Sequence, residues 1–136
     1  MSRVVGIGGV FIKAEDPVAL RAWYRDHLGM NIEEWGGMAF TWSRPDGPGE
    51  SGATIWSVFE EGSTCFAPSQ ARFMVNYIVN DLHAVLAELR SEGCDVDTRT
   101  EESDFGKFGW VMDPEGNRVE LWEPPGASTQ GSEASS

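Results

Sequence analysis

Gly106-Lys107-Phe108-Gly109-Trp110-Val111-Met112-Asp113-Pro114-Glu115-Gly116-Asn117-Arg118-Val119-Glu120-Leu121-Trp122 is the stretch on which the reading of this chain turns. Its two ends, Phe108–Met112 and Arg118–Trp122, are rich in the aromatic and β-branched residues that suit strands. Between them lie five residues that favour a turn for different reasons. Proline presets its own φ, glycine accepts a positive φ, and Asp and Asn side chains bond the nearby backbone. The stretch therefore predicts a β-hairpin. In its second strand Glu120 and Trp122 share one face, and Val119 and Leu121 take the other.

Working outward, the hairpin closes a longer unit. Met74-Val-Asn-Tyr-Ile-Val-Asn-Asp81 reads as a strand ending on a helix N-cap, because an Asp carboxylate accepts the free amides of a first turn. Leu82, Val85, Leu86 and Leu89 follow at the spacing of one helix face, and the helix closes at Glu92-Gly93. Asp95–Thr98 is a further strand candidate. The same order occurs once more upstream. Gly9-Val-Phe-Ile-Lys-Ala-Glu-Asp16 precedes Pro17, placed where a missing N–H costs nothing, and a helical stripe of Leu20, Trp23, Tyr24 and Leu28 ending at Gly29. Strand candidates Ile32–Trp35, Ala39–Trp42 and Ala53–Phe59 come next, divided by Gly36-Gly37 and by the loop Pro45-Asp46-Gly47-Pro48-Gly49. Each half reads β-α-β-β-β, which predicts an α+β domain of two βαβββ modules over residues 1–125. Module one covers about 5–60 and module two about 72–124, and the stretch from 126 to 136 has no large apolar residue and is expected to be a disordered tail.

Bulk properties narrow the function classes. The chain has 136 residues, a hydrophobic fraction of 40% and a net charge of −12, which fits one globular domain and argues against a nucleic-acid partner. No leader or membrane-length apolar run is visible, so a cytoplasmic protein with no membrane partner is expected. Cys65 and Cys94 stand apart without a CxxC or a histidine cluster, and read as reduced, partly buried thiols. There are only two histidines and six tryptophans, so imidazole chemistry is scarce and aromatic surface is plentiful.

The paired modules, the Asp113–Asn117 turn and the closing Val119-Glu120-Leu121-Trp122-Glu123-Pro124 strand resemble the glyoxalase/bleomycin-resistance/extradiol-dioxygenase superfamily, the vicinal oxygen chelate proteins. Trp23-Tyr24-Arg25-Asp26-His27-Leu28-Gly29 matches as well, and the resemblance covers about residues 5–125. It implies eight strands curved around a shared concave cleft, and in the enzymes a divalent metal held by the first and last strands of each module. The first-strand ligand stands seven residues before the helix-capping Asp, which places it here at Gly9 and Met74. Glycine has no side chain to offer and a thioether is soft. Glu120 matches the last-strand ligand of module two. Its counterpart falls within Thr54–Ser57, which offers only hydroxyls, and His27 and His83 lie on the helices. The expectation is therefore a cleft with no metal site and no cofactor.

By strand alternation the resemblance also implies that Gly9, Phe11 and Lys13, and Met74, Asn76 and Ile78, face that cleft, while Val10, Ile12, Val75, Tyr77 and Val79 face the helices. Asn76, Glu120 and Lys107 are its expected polar groups, and Phe11, Trp42, Trp56, Phe105, Trp110 and Trp122 its expected walls. Flat rings stack on planar ligands at small rotamer cost, and a few polar groups then orient them. Trp42, Trp56 and Trp110 serve equally well as core or interface packing. Glu120 is either a working group or a remnant ion-paired with Lys13 or Lys107, and Asn76 either touches a ligand or bonds a neighbouring strand. Glu101-Glu102-Ser103-Asp104 reads as a solvated loop, and Phe105-Gly106-Lys107-Phe108 after it is placed to close over the cleft mouth, with Gly106 as the hinge. Three functions compete: a metal-independent binder of a planar or amphipathic small molecule, a lyase or isomerase with Glu120 as base or residual metal ligand, and a subunit serving a protein partner. A homodimer is expected in each case.

Overall fold

The computed structural model describes residues 3–43 and 51–125, so the expected Pro45–Gly49 loop and the tail from 126 onward lie outside the described residues. Within them the order is β1 (Val4–Ala14), α1 (Pro17–Leu28), β2 (Gly37–Ser43), β3 (Ser51–Glu60), β4 (Phe73–Val79), α2 (Leu82–Ser91), β5 (Asp95–Ser103), β6 (Gly106–Met112) and β7 (Arg118–Glu123). The strands form one sheet in the order β2-β3-β1-β4-β7-β6-β5. β1 runs parallel to β3, β4 runs parallel to β7, and the two first strands pair antiparallel at the centre. That arrangement is a pseudo-two-fold pair of modules in an α+β fold.

The halves are not equal. Module one is βαββ, because Ile32–Trp35 is not a strand. There the Glu33 N–H donates to the Gly37 carbonyl at 2.8 Å and the Gly36 N–H to the Glu33 carbonyl at 3.0 Å, with Gly36 at φ +103°. The chain doubles back on itself there instead of extending along β2, whose outer edge lies at the end of the sheet. Seven strands, not eight, are present among the described residues.

Both helices begin as the sequence predicts. The Ala19 N–H donates to Asp16 Oδ1 at 3.0 Å and the Ala84 N–H to Asp81 Oδ1 at 3.2 Å. Gly29 and Gly93 end them at φ +70° and +87°. The stripe on α2 is the stronger of the two. Leu82 and Leu86 are fully buried against Val79 and Leu121, with Tyr77, Val111 and Val119 around them. Burying each such leucine stabilises the fold by about 1.5–3 kcal/mol. Of the α1 stripe, Leu20 and Tyr24 pack on the sheet against Ala14, Trp56 and Val58. Trp23 and Leu28, expected in that core, are 49% and 59% exposed. The Trp23 ring leans on Tyr24 and His27 of its own helix instead of on the strands.

The Asp113–Asn117 turn is closed by its first residue. Asp113 Oδ1 accepts the Glu115 and Asn117 N–H groups at 2.8 and 2.9 Å, and Oδ2 accepts Asn117 Nδ2–H at 2.9 Å. These donors hold its carboxyl below the usual carboxylate range, the Asn117 side chain contributing most. The turn fixes the register of β6 on β7, which pairs Trp110 with Glu120 and Phe108 with Trp122. The two cysteines are free, and both are exposed instead of partly buried.

Candidate functional site

The register places three polar or aromatic side chains side by side on the face away from the helices. Asn76 of β4 pairs with Glu120 of β7, and Glu120 pairs with Trp110 of β6. Asn76 Nδ2–H donates to Glu120 Oε1 at 2.6 Å, and Trp110 Nε1–H donates to Oε2 at 2.9 Å. Glu120 is therefore held by two N–H donors, with neither Lys13 nor Lys107 as its ion-pair partner. Burial pushes its pKa up as the largest influence, while those two donors and the nearby Arg118 charge pull it down and Glu101 pushes it up slightly. The net direction is upward, so the surroundings of Glu120 favour the protonated acid more than water does.

Around this group the helix-free face is built from glycine gaps and flat rings. A β-carbon at Gly8 would stand 2.2 Å from Asn76 Oδ1 and 2.7 Å from the Trp122 ring, so only glycine lets those two side chains lie there. Phe108 stacks on Trp122 with centroids 6.1 Å apart and planes 9° from parallel. Trp42 approaches from module one, donating Nε1–H to Thr54 Oγ1 at 3.1 Å and lying over Gly52 near Gly6 and Ile78. Beyond β1, Phe11 and Phe59 meet edge to face at 5.5 Å, and Phe66 of the connecting segment is buried on Phe59. Met74, in register with Phe11, is 4% exposed.

Three expected members stand elsewhere. Trp56 faces α1, its ring 4.9 Å from Tyr24, because it shares strand parity with Val58 and not with Phe59. Lys107 is on the helix side, with Nζ 3.7 Å from Glu123 Oε2. Phe105 points its ring into solvent at 74% exposure. What it supplies is its carbonyl, which accepts Trp122 Nε1–H at 2.8 Å and ties the β5–β6 hairpin to the Trp122 wall. Gly106 has a φ of +120°, and a β-carbon there would overlap the Glu123 carbonyl and crowd Trp122 Nε1, so glycine is what lets β6 start this close to β7.

Residues that went unnoticed in the sequence complete the cluster. Arg118, two residues before Glu120 on the same strand face, is 6% exposed and lies 4.8 Å from the Trp110 ring. Its Nη1–H donates to Asp97 Oδ2 at 3.2 Å, while Nε is buried without a partner. Arg99 lies 5.5 Å from the Trp110 ring. The Asp97 carboxyl is held below its ordinary range, first by the Arg99 backbone N–H and then by Arg118. The period-two alternation that singled out Glu120 and Trp122 also picks Arg118.

These residues do not fit a divalent metal. Gly9 and Met74 offer no nitrogen or oxygen donor, the Glu120 oxygens already accept N–H groups, and a guanidinium stands on the same face. Among the described residues no group of three or more His, Cys, Asp or Glu side chains converges. His83 is paired with Glu102 at 2.8 Å, and no described helix is long and apolar enough to cross a membrane.

A parallel-paired β1/β3 and β4/β7, each bridged by one helix and joined at a shared centre, is the ground plan of the vicinal oxygen chelate proteins. A family model described as a glyoxalase-like domain matches residues 9–122, and the chain belongs to that family. Among solved structures it is similar to the methylmalonyl-CoA epimerase of Mycobacterium tuberculosis, with 21% identity, 91% of each chain covered and a TM-score of 0.63. It is also similar to a Streptomyces coelicolor methylmalonyl-CoA epimerase variant in complex with 2-nitronate-propionyl-CoA, at 17% identity, 90% and 96% coverage and a TM-score of 0.65. A glyoxalase/bleomycin resistance protein/dioxygenase superfamily member from Vibrio splendidus 12B01 is similar at 12% identity, 86% and 97% coverage and a TM-score of 0.55. No curated protein matches at a significant level.

Proposed function

We propose that this chain binds a planar or amphipathic small organic molecule on its helix-free face, and does so without a divalent metal. The observation that supports it most is the parallel Phe108–Trp122 pair next to one buried polar cluster, Asn76–Glu120–Trp110. Stacking on those rings supplies area, and the cluster supplies orientation. Titrating planar aromatic compounds against tryptophan fluorescence tests it. A binder in the panel whose affinity falls about tenfold or more in Phe108→Ala is the expected result, since a lost ring contact is worth about 0.5–1.5 kcal/mol beyond its area. No quenching by any compound, or quenching untouched by Phe108→Ala, overturns the proposal. A homodimer belongs to the same reading and is supported by exposed Val4, Val5 and Ile7 on β1. A monomer in sedimentation would remove it.

The second reading is an isomerase in which Glu120 takes a proton from carbon next to a carbonyl. Its raised pKa favours this, because a base works best when its pKa approaches the working pH. Methylmalonyl-CoA epimerases among the structural neighbours make a branched acyl-CoA the first substrate to try. Against it, both carboxylate oxygens already accept N–H bonds, which weakens a base. Exchange of the substrate α-hydrogen with deuterated solvent, abolished by Glu120→Gln, would favour this reading over binding alone.

A further inference from the structure

Arg99 and Arg118 are the unused chemistry on the helix-free face. In a chain with net charge −12, two guanidiniums meet at one indole, 5.5 and 4.8 Å from the Trp110 ring. Their shared counter-ion is largely spoken for. Asp97 Oδ1 accepts the Arg99 backbone N–H at 2.9 Å and Oδ2 lies 3.2 Å from Arg118, which leaves the Arg99 side chain 4.0 Å from its nearest carboxylate oxygen. That side chain is 66% exposed, and among the described residues its guanidinium has no hydrogen-bond acceptor. Behind it, Arg118 is buried and its Nε lacks a partner. The stacked guanidinium keeps its donor edge free for an incoming group, and a planar fork of donors matches a carboxylate.

Geometry sets the distance to the aromatic wall. Phe108 and Trp110 are two residues apart on β6, so the Trp122–Phe108 stack and the Arg-bearing indole are offset by about 7 Å along the strand. A two-ring aromatic acid spans that offset.

We propose that the ligand of this face is a carboxylate-bearing planar molecule, its ring on Phe108 and Trp122 and its carboxylate on Arg99, with Arg118 adding charge from behind Trp110. The inference rests on the binding reading above and narrows it to an acid. Calorimetric titration with 2-naphthoate and with its neutral isostere 2-naphthamide tests it. The expected result is that the acid binds about tenfold or more tightly than the amide, the size of a charge-assisted hydrogen-bonded pair of about 1.4 kcal/mol or more. In Arg99→Gln the two affinities become equal to within about twofold, while the amide is unaffected. Arg99 is exposed, so the variant keeps its fold, and circular dichroism checks that it does. Equal binding of acid and amide to the unmodified chain overturns the charge inference and leaves the binding reading standing. A preference for the acid that survives Arg99→Gln overturns the assignment to Arg99. Failure of both compounds at millimolar concentration counts against both readings.

Discussion

Replacing Glu120 tests the central cluster most finely, because two substitutions separate its hydrogen bonds from its charge. Glu120→Ala strands two donors, Asn76 Nδ2–H and Trp110 Nε1–H, in a buried setting. Each orphaned donor costs about 1–3 kcal/mol, so about 2–6 kcal/mol is lost, partly offset by removing a desolvated carboxylate. Glu120→Gln keeps one acceptor for Trp110. Its new amide finds an acceptor too, because Asn76 Oδ1 has no partner and turns toward it by an amide flip. That variant should stay within about 1 kcal/mol of the unmodified chain at acid pH. The sign of its pH dependence follows from burial. Glu120 is raised above its ordinary value in the fold, so its contribution is fully present below the unfolded pKa and declines as pH rises through the folded one. Glu120→Gln carries no such decline. Its stability relative to the unmodified chain therefore improves from about pH 3.5 to pH 7. Urea denaturation of both proteins at the two pH values, followed by tryptophan fluorescence, measures the difference with the other carboxylates cancelling. A flat difference, or one in which the unmodified chain gains as pH rises, would mean that the Asn76 and Trp110 donors and the Arg118 charge together match or exceed desolvation, and would refute the reasoning.

Three further outcomes follow from particular contacts. Gly8→Ala places a methyl 2.2 Å from Asn76 Oδ1 and should cost about 1–3 kcal/mol in urea midpoint while weakening any ligand of the Trp122 wall; unchanged stability would mean the strands yield there freely. Trp56→Ala should cost about 3–5 kcal/mol and leave the affinity for planar compounds alone, since Trp56 faces α1; a selective loss of binding in a stable variant would return it to the site. Glu123→Ala removes the buried acceptor of the Leu82 N–H, 2.9 Å away at the start of α2, and should cost about 1–3 kcal/mol with early hydrogen exchange in the first turn of that helix.

Much of the fold was legible because its signals are local. The Asp113–Asn117 turn, the two Asp N-caps and the α2 stripe each depend on residues within a few positions of one another, and each is present. Ile32–Trp35 has β-prone composition, but the turn bonds between Glu33 and Gly37, with Gly36 at φ +103°, bend it away from the open edge of β2. Strand faces were legible only where the starting phase was known. From Glu120 the alternation runs correctly to Trp122, and it reaches Arg118 just as well. Trp56 had no such anchor. On β1 a register shift between Ile7 and Gly9 breaks the count and brings Gly8 against Asn76. The Arg99–Trp110–Arg118 grouping draws on β5, β6 and β7, and no spacing in the sequence announces it. Lys107, expected as a polar group of the cleft, pairs with Glu123 and shares strand parity with Gly109 and Val111 on the helix side.

Whether ligand binding needs a metal is the most direct test of a site that lacks a metal-ligand set. A compound found to quench tryptophan fluorescence would be titrated into chelator-treated protein, and again after separate additions of zinc, nickel, manganese and ferrous iron, with metal content measured on the same samples. One affinity is expected throughout, within about twofold, because Gly9, Met74 and the doubly bonded Glu120 offer no adequate ligand set. Binding that appears only with about one metal ion per chain, or tightens about tenfold on its addition, would contradict it.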